Sequence, residues 1–134
     1  MKKKGLMFII DWHIFPFDVL VCLGVTREEI IKKIHKSYTY KLNSEELEKL
    51  QMLGRGKTVM LEGGQTILWI KFIPKLGSGV LAHEIFHAVH FLLNKIGVVI
   101  EGFDKDELPA YIIEYLNNQI VQKIIDSKKK WKGG

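Results

Sequence analysis

Gly77-Ser78-Gly79-Val80-Leu81-Ala82-His83-Glu84-Ile85-Phe86-His87-Ala88 is the stretch from which the rest of this chain is best read. On an α-helix, residues four apart lie one turn apart on the same face, so His83 and His87 can aim both imidazoles at one point. Glu84 stands beside the first of them, where its carboxylate can reach a water held at that point. Two imidazoles and an adjacent carboxylate are the elements of a zinc site with a proton-transfer group attached. Val80, Leu81, Ile85, Ala88, Phe91 and Leu92 are apolar, which predicts a largely buried helix. Ser78 is its expected N-cap, the helix is expected to run to Leu93 or Asn94, and Asn94-Lys95-Ile96-Gly97 is its expected stop.

A zinc site needs a third protein ligand. His90 faces the same way as His83, but the two are about 10.5 Å apart along the helix axis at 1.5 Å per residue. Zinc–nitrogen bonds are about 2.1 Å long, so one ion cannot bridge them. Downstream lie Glu101, Asp104, Asp106, Glu107 and Glu114. Asp106 to Leu116 reads as a second helix with Asp106 as N-cap, and Pro109 is tolerated in its first turn. Glu107 then sits where the helix dipole favours a carboxylate, and motif context makes it the preferred ligand. Glu114 shares its face two turns deeper and is the alternative; whichever does not ligate is a hydrogen-bond partner or an exposed charge.

The order His83-Glu84-x-x-His87, followed about twenty residues later by a glutamate on a second helix, resembles the gluzincin group of HExxH zinc metallopeptidases. Glu107-x-x-Ala110-x-x-Ile113 is similar to the third-ligand helix of the small ImmA/IrrE-type proteins, often carried by phages and mobile elements. The likeness covers roughly residues 66 to 120 and is carried by the motif positions. It implies a zincin-like fold with His83, His87 and Glu107 as Zn²⁺ ligands and Glu84 as catalytic acid/base. Where many gluzincins have Asp or Asn four residues after the glutamate, to orient a ligand histidine, this chain has Tyr111. The Tyr111 hydroxyl, Asp104, Glu114 or a backbone carbonyl must then take that role.

The expected fold class is α+β: a small sheet or hairpin packed on the motif helix, with a second helix bearing the third ligand. At 134 residues the chain reads as one domain, 1–134, with a basic tail from about 127. Leu6 to Ile10 and Phe17 to Leu23 read as strands. Thr26 and Glu29 form a capping box that opens a helix to about Tyr38. Asn43-Ser44-Glu45-Glu46 opens another helix, ending near Gly54. Lys57 to Leu61 and Thr66 to Phe72 read as a hairpin around Gly63-Gly64. Of these, Thr66 to Phe72 is the strand nominated as the edge on which an extended peptide would pair, as in gluzincin-like folds.

Cys22 is the only cysteine, so no disulfide framework exists, and its apolar neighbours make it a buried, inert thiol. The apolar run after Met1-Lys2-Lys3-Lys4 ends at Asp11, too short for a signal peptide, and no stretch reaches a membrane span. A cytoplasmic location without membrane contact is expected. The net charge of +5 is concentrated at the chain ends, at Lys2 to Lys4 and Lys128 to Lys132. Such runs read as solvated tails, which points away from nucleic acid as the partner.

The expectation is therefore hydrolysis of a peptide bond in a specific protein substrate, for which the mobile-element likeness suggests a host or phage regulatory protein. Tyr111, Tyr115 and His90 are the candidate donors to the developing oxyanion. The competing expectation is a catalytically idle zinc-binding interaction module with a basic surface. A purely structural site gains nothing from a carboxylate at Glu84, which favours the enzyme.

Overall fold

The computed structural model describes residues 5–13, 15–38, 41–97 and 107–133, with the side chains of 107 and 130–133 outside that description. Four strands and four helices follow one another: β1 (Leu6–Asp11), β2 (Asp18–Leu23), α1 (Arg27–Tyr38), α2 (Ser44–Lys49), β3 (Gly56–Met60), β4 (Thr66–Ile70), α3 (Gly79–Lys95) and α4 (Glu107–Gly133). The chain is α+β, with one mixed sheet in the order β1-β2-β4-β3. Antiparallel pairs at both ends flank a parallel β2–β4 pair.

Side chains alternate across a strand, so each strand feeds both faces of the sheet. Val19, Val21, Leu68 and Ile70 point to one face and pack against Ile85, Ala88 and Leu92 of α3 and Leu116 and Ile120 of α4. Leu20, Cys22, Ile67 and Trp69 point to the other, onto Ile30 and Ile34 of α1 and Leu50 after α2. A strand buried on both faces loses the polar alternation of a surface strand, and β4 is buried at all five positions. Each fully buried Leu or Ile contributes about 1.5–3 kcal/mol.

The capping box of α1 forms: Thr26 Oγ1 accepts from the Glu29 N–H at 3.2 Å, and Glu29 Oε1 accepts from the Thr26 N–H at 3.2 Å. Asn43 and Glu46 do the same for α2. This helix ends at Lys49, not near Gly54, because Leu50 leaves helical geometry and is fully buried. Arg27 takes up the carbonyls freed there, donating to Leu47 O and Leu50 O at 2.7 Å each. The β3–β4 hairpin turns at Gly64, whose φ of +95° favours glycine.

The strand nominated as the peptide-pairing edge is not an edge. β4 lies inside the sheet between β2 and β3, and β3 is the edge next to α3. Ser78 occupies the N-cap position of α3 in extended geometry, yet its side chain makes no capping hydrogen bond. The helix stops as expected, with Ile96 donating to Leu92 O and Gly97 at φ +78°. The second predicted helix does not stop near Leu116. Ile112, Leu116, Ile120 and Ile124 form one buried i, i+4 stripe, and α4 carries on through the basic segment that was expected to be a tail. Among the described residues no helix is long and apolar enough to cross a membrane.

Candidate metal centre

α3 buries Val80, Leu81, Glu84, Ile85, Ala88, Val89, Leu92 and Leu93, two adjacent positions per turn. That stripe fixes the roll of the helix, turning His83 and His87 toward solvent and Glu84 inward. The two imidazoles converge: Nε2 of His83 and Nε2 of His87 are 3.2 Å apart. Two zinc–nitrogen bonds of about 2.05 Å at the tetrahedral angle would set their nitrogens about 3.3 Å apart. A hydrogen bond from one ring to the other satisfies the same separation. The donor pair therefore fits Zn²⁺ in chemistry and in spacing.

Glu84 is only 4% exposed. A buried carboxylate needs partners, and β3 provides one. Thr58 Oγ1 lies 2.7 Å from Glu84 Oε1, to which it donates, and 3.2 Å from the backbone carbonyl of the same residue. Oε2 lies 4.0 Å from His83 Nε2. No buried side-chain polar atom among the described residues lacks a partner, so Oε2, with no hydrogen bond, is the oxygen that meets the adjoining cleft. That cleft holds about 280 Å³ and is lined by Arg55, Gly56, Gly79, Val80, His83 and Glu84. Gly56 makes this approach feasible: a Cβ there would meet Oε2 at 2.9 Å and Cγ at 3.0 Å.

The other sequence-predicted residues distribute unevenly. Glu107 is the first residue of α4, and its side chain lies outside the described set, as do Glu101, Asp104 and Asp106 entirely. Among the described residues no group of three or more His, Cys, Asp or Glu is arranged to hold a metal ion, so neither Glu114 nor His90 joins His83 and His87. His90 instead stacks on Phe86, with ring centroids 6.1 Å apart. Tyr115 is committed elsewhere: its hydroxyl donates to Asp11 O at 2.7 Å. Burial, and then the charge of Asp11, raise its pKa above the ordinary tyrosine value. Tyr111 is 64% exposed and lines a separate apolar cleft with Trp12, His13, Phe15 and Tyr115. None of the three expected oxyanion donors lines the cleft of Glu84.

Three residues of this site escaped the sequence reading: Arg55, Gly56 and Thr58. A hairpin was legible around them, but nothing local says that β3 lies under α3 with Thr58 opposite Leu68 of β4. Strand alternation is the one usable signal. Val59 points to the α1–α2 face, so Gly56 and Thr58 must point to the face that carries the motif helix.

No known protein family matches the chain. No curated protein and no solved structure is significantly similar to it either.

Proposed function

We propose that this chain is a zinc-dependent peptidase of the zincin-like plan, with His83, His87 and Glu107 as ligands and Glu84 as general base. The observation that carries the reading is the pairing of two Nε2 atoms 3.2 Å apart with a buried, half-satisfied carboxylate beside them. Zn²⁺ held there supplies Lewis acidity, lowering the pKa of a water to about 7 and polarising a carbonyl.

The chain's own residues do the rest. Thr58 holds Oε1, so Glu84 meets the cleft with Oε2. From there Glu84 takes a proton from the attacking water and returns it to the leaving amine nitrogen. Edge strand β3 runs beneath α3 and offers backbone N–H and C=O groups on its outer side, where an extended peptide can add as a further strand. Gly56 and Gly79 keep the lining of the cleft low, which suits a peptide backbone.

Metal content of tag-free protein by mass spectrometry tests the ligand set. One zinc per chain is expected in the natural sequence and in Glu84→Gln, and none in His83→Ala or Glu107→Ala. Protein that takes up no stoichiometric zinc when zinc is supplied would overturn the reading. Zinc uptake without hydrolysis of any peptide would instead leave the idle binding module.

A further inference from the structure

The chain has two arginines, and they are used in opposite ways. Arg27 is consumed by the carbonyls at the end of α2. The Arg55 guanidinium makes no hydrogen bond, ion pair or ring contact among the described residues. Its backbone is nevertheless anchored, because its carbonyl accepts from Lys71 N–H at 2.9 Å. Arg55 lines the cleft of Glu84 and His83, and it also lines a second cleft of about 470 Å³ bordered by Lys75, Leu76 and Ser78. Among the described residues an exposed, unpaired guanidinium on an anchored backbone therefore belongs to both clefts, beside the residues proposed to do the chemistry.

Among the described residues the cations that line the two clefts are Arg55 and Lys75, while Lys57 points with Val59 to the opposite face of the sheet. Between residues 49 and 83 the sequence carries a single acid, Glu62. Glu62 lies at the far, turn end of the hairpin, where its N–H is held by Glu46. The first turn of α3 contains no acidic residue to offset the positive end of that helix. Among the described residues Glu84 is the only carboxylate lining either cleft, and it is buried and bonded to Thr58.

We infer that Arg55 is a specificity-determining residue that receives a carboxylate of the substrate, close to the bond that is cut. Arginine suits the task because its planar fork matches a carboxylate with two parallel hydrogen bonds. The carboxylate comes either from an Asp or Glu side chain or from the substrate's own C-terminus. Gly56, next in sequence, adds no side chain to the cleft that Arg55 and Glu84 both line. The inference rests on the peptidase reading given above.

The test uses the zinc-loaded full chain and a degenerate peptide library, prepared once with free C-terminal acids and once with amides, with cleavage products read by mass spectrometry. Zinc content and a Glu84→Gln blank are measured on the same preparations. Products with Asp or Glu near the cut, or with a free terminal acid close by, are expected to be favoured about tenfold, as one charge-assisted pair in a partly exposed site allows. Arg55→Ala abolishes that preference while neutral peptides are still cut, and Arg55→Lys restores part of it. The preference resides in KM and shrinks at high salt. If the preference survives only in the free-acid library, the terminal carboxylate is the ligand; if it survives in both, the side chain is. Cleavage with no acidic preference, or with one that Arg55→Ala leaves unchanged, overturns the inference and leaves the peptidase intact. Absence of zinc, or zinc without any cleavage, overturns the peptidase reading and this inference with it.

Discussion

Glu46 and Glu84 are both buried glutamates on helices, and both grip the β3–β4 hairpin, yet their oxygens are engaged differently. Glu46, 2% exposed, accepts from Asn43 N–H at one oxygen and from Glu62 N–H at the other, each at 3.0 Å. It ties the start of α2 to the turn of the hairpin and has both oxygens engaged by backbone. Glu84, on the other face of the sheet, has one oxygen held by Thr58 and the second turned to the cleft beside His83. Burial alone therefore does not set the two carboxylates apart. What separates the two is whether an oxygen is left for something that is not part of the fold.

The sharpest way to break this comparison is Glu84→Gln. Peptide hydrolysis is expected to fall by about 10²–10⁴-fold, the usual contribution of a general base. Calorimetry should find its melting temperature nearly unchanged, since Gln can still accept from Thr58. Glu46→Ala is expected to do the reverse, costing about 3 kcal/mol through loss of two charge-assisted hydrogen bonds. In a chain of this length that is roughly 10 °C in melting temperature. Urea denaturation would register it, and activity per folded molecule should stay constant. If instead both variants lose stability equally, the distinction between clamp and base collapses.

Thr58→Val sharpens the contrast from the strand side. It removes the donor to Oε1, and a cost of about 1–2 kcal/mol follows from a buried acceptor left without its partner. If Glu84 is the general base proposed, turnover is expected to drop about tenfold because a loosened carboxylate loses its alignment, and Thr58→Ser should recover most of both. The smallest effect concerns a third carboxylate. Burial raises the pKa of Asp18 above the usual value, the Tyr38 hydroxyl opposes this in part, and Asp11, its cross-strand partner, adds to the rise. A carboxylate raised in the folded state favours folding fully below its unfolded pKa, and that benefit is lost as pH rises through the folded value. Asp18→Asn should therefore melt slightly higher than the natural chain at neutral pH, and the gap should close in acid, below the ordinary aspartate range.

Much of α3 was legible because its signals are local. The His83–His87 spacing, the apolar stripe and Gly97 each act within a turn or two. The capping boxes of α1 and α2 were readable for the same reason. What escaped depends on pairing between distant segments. Thr66 to Ile70 is an unbroken apolar run apart from Thr66, a pattern that suits a strand buried on both faces. Its place beside β2 comes from a parallel crossover that no local rule specifies. Thr58 and Gly56 look ordinary in sequence because their role exists only once the edge strand lies under α3. The length of α4 was recoverable: the i, i+4 series from Ile112 continues to Ile124, beyond the point where the helix was expected to end.

Cys22 is the penultimate residue of β2, fully shielded, in a chain that has no other thiol. Burial lifts its pKa far above the ordinary cysteine value, so in the closed molecule it is neither reachable nor ionised. A thiol-reactive dye can then label this chain only when the sheet comes apart. The rate of that labelling is a built-in gauge of how often the core opens, and zinc, if bound, would slow it measurably without any engineered probe.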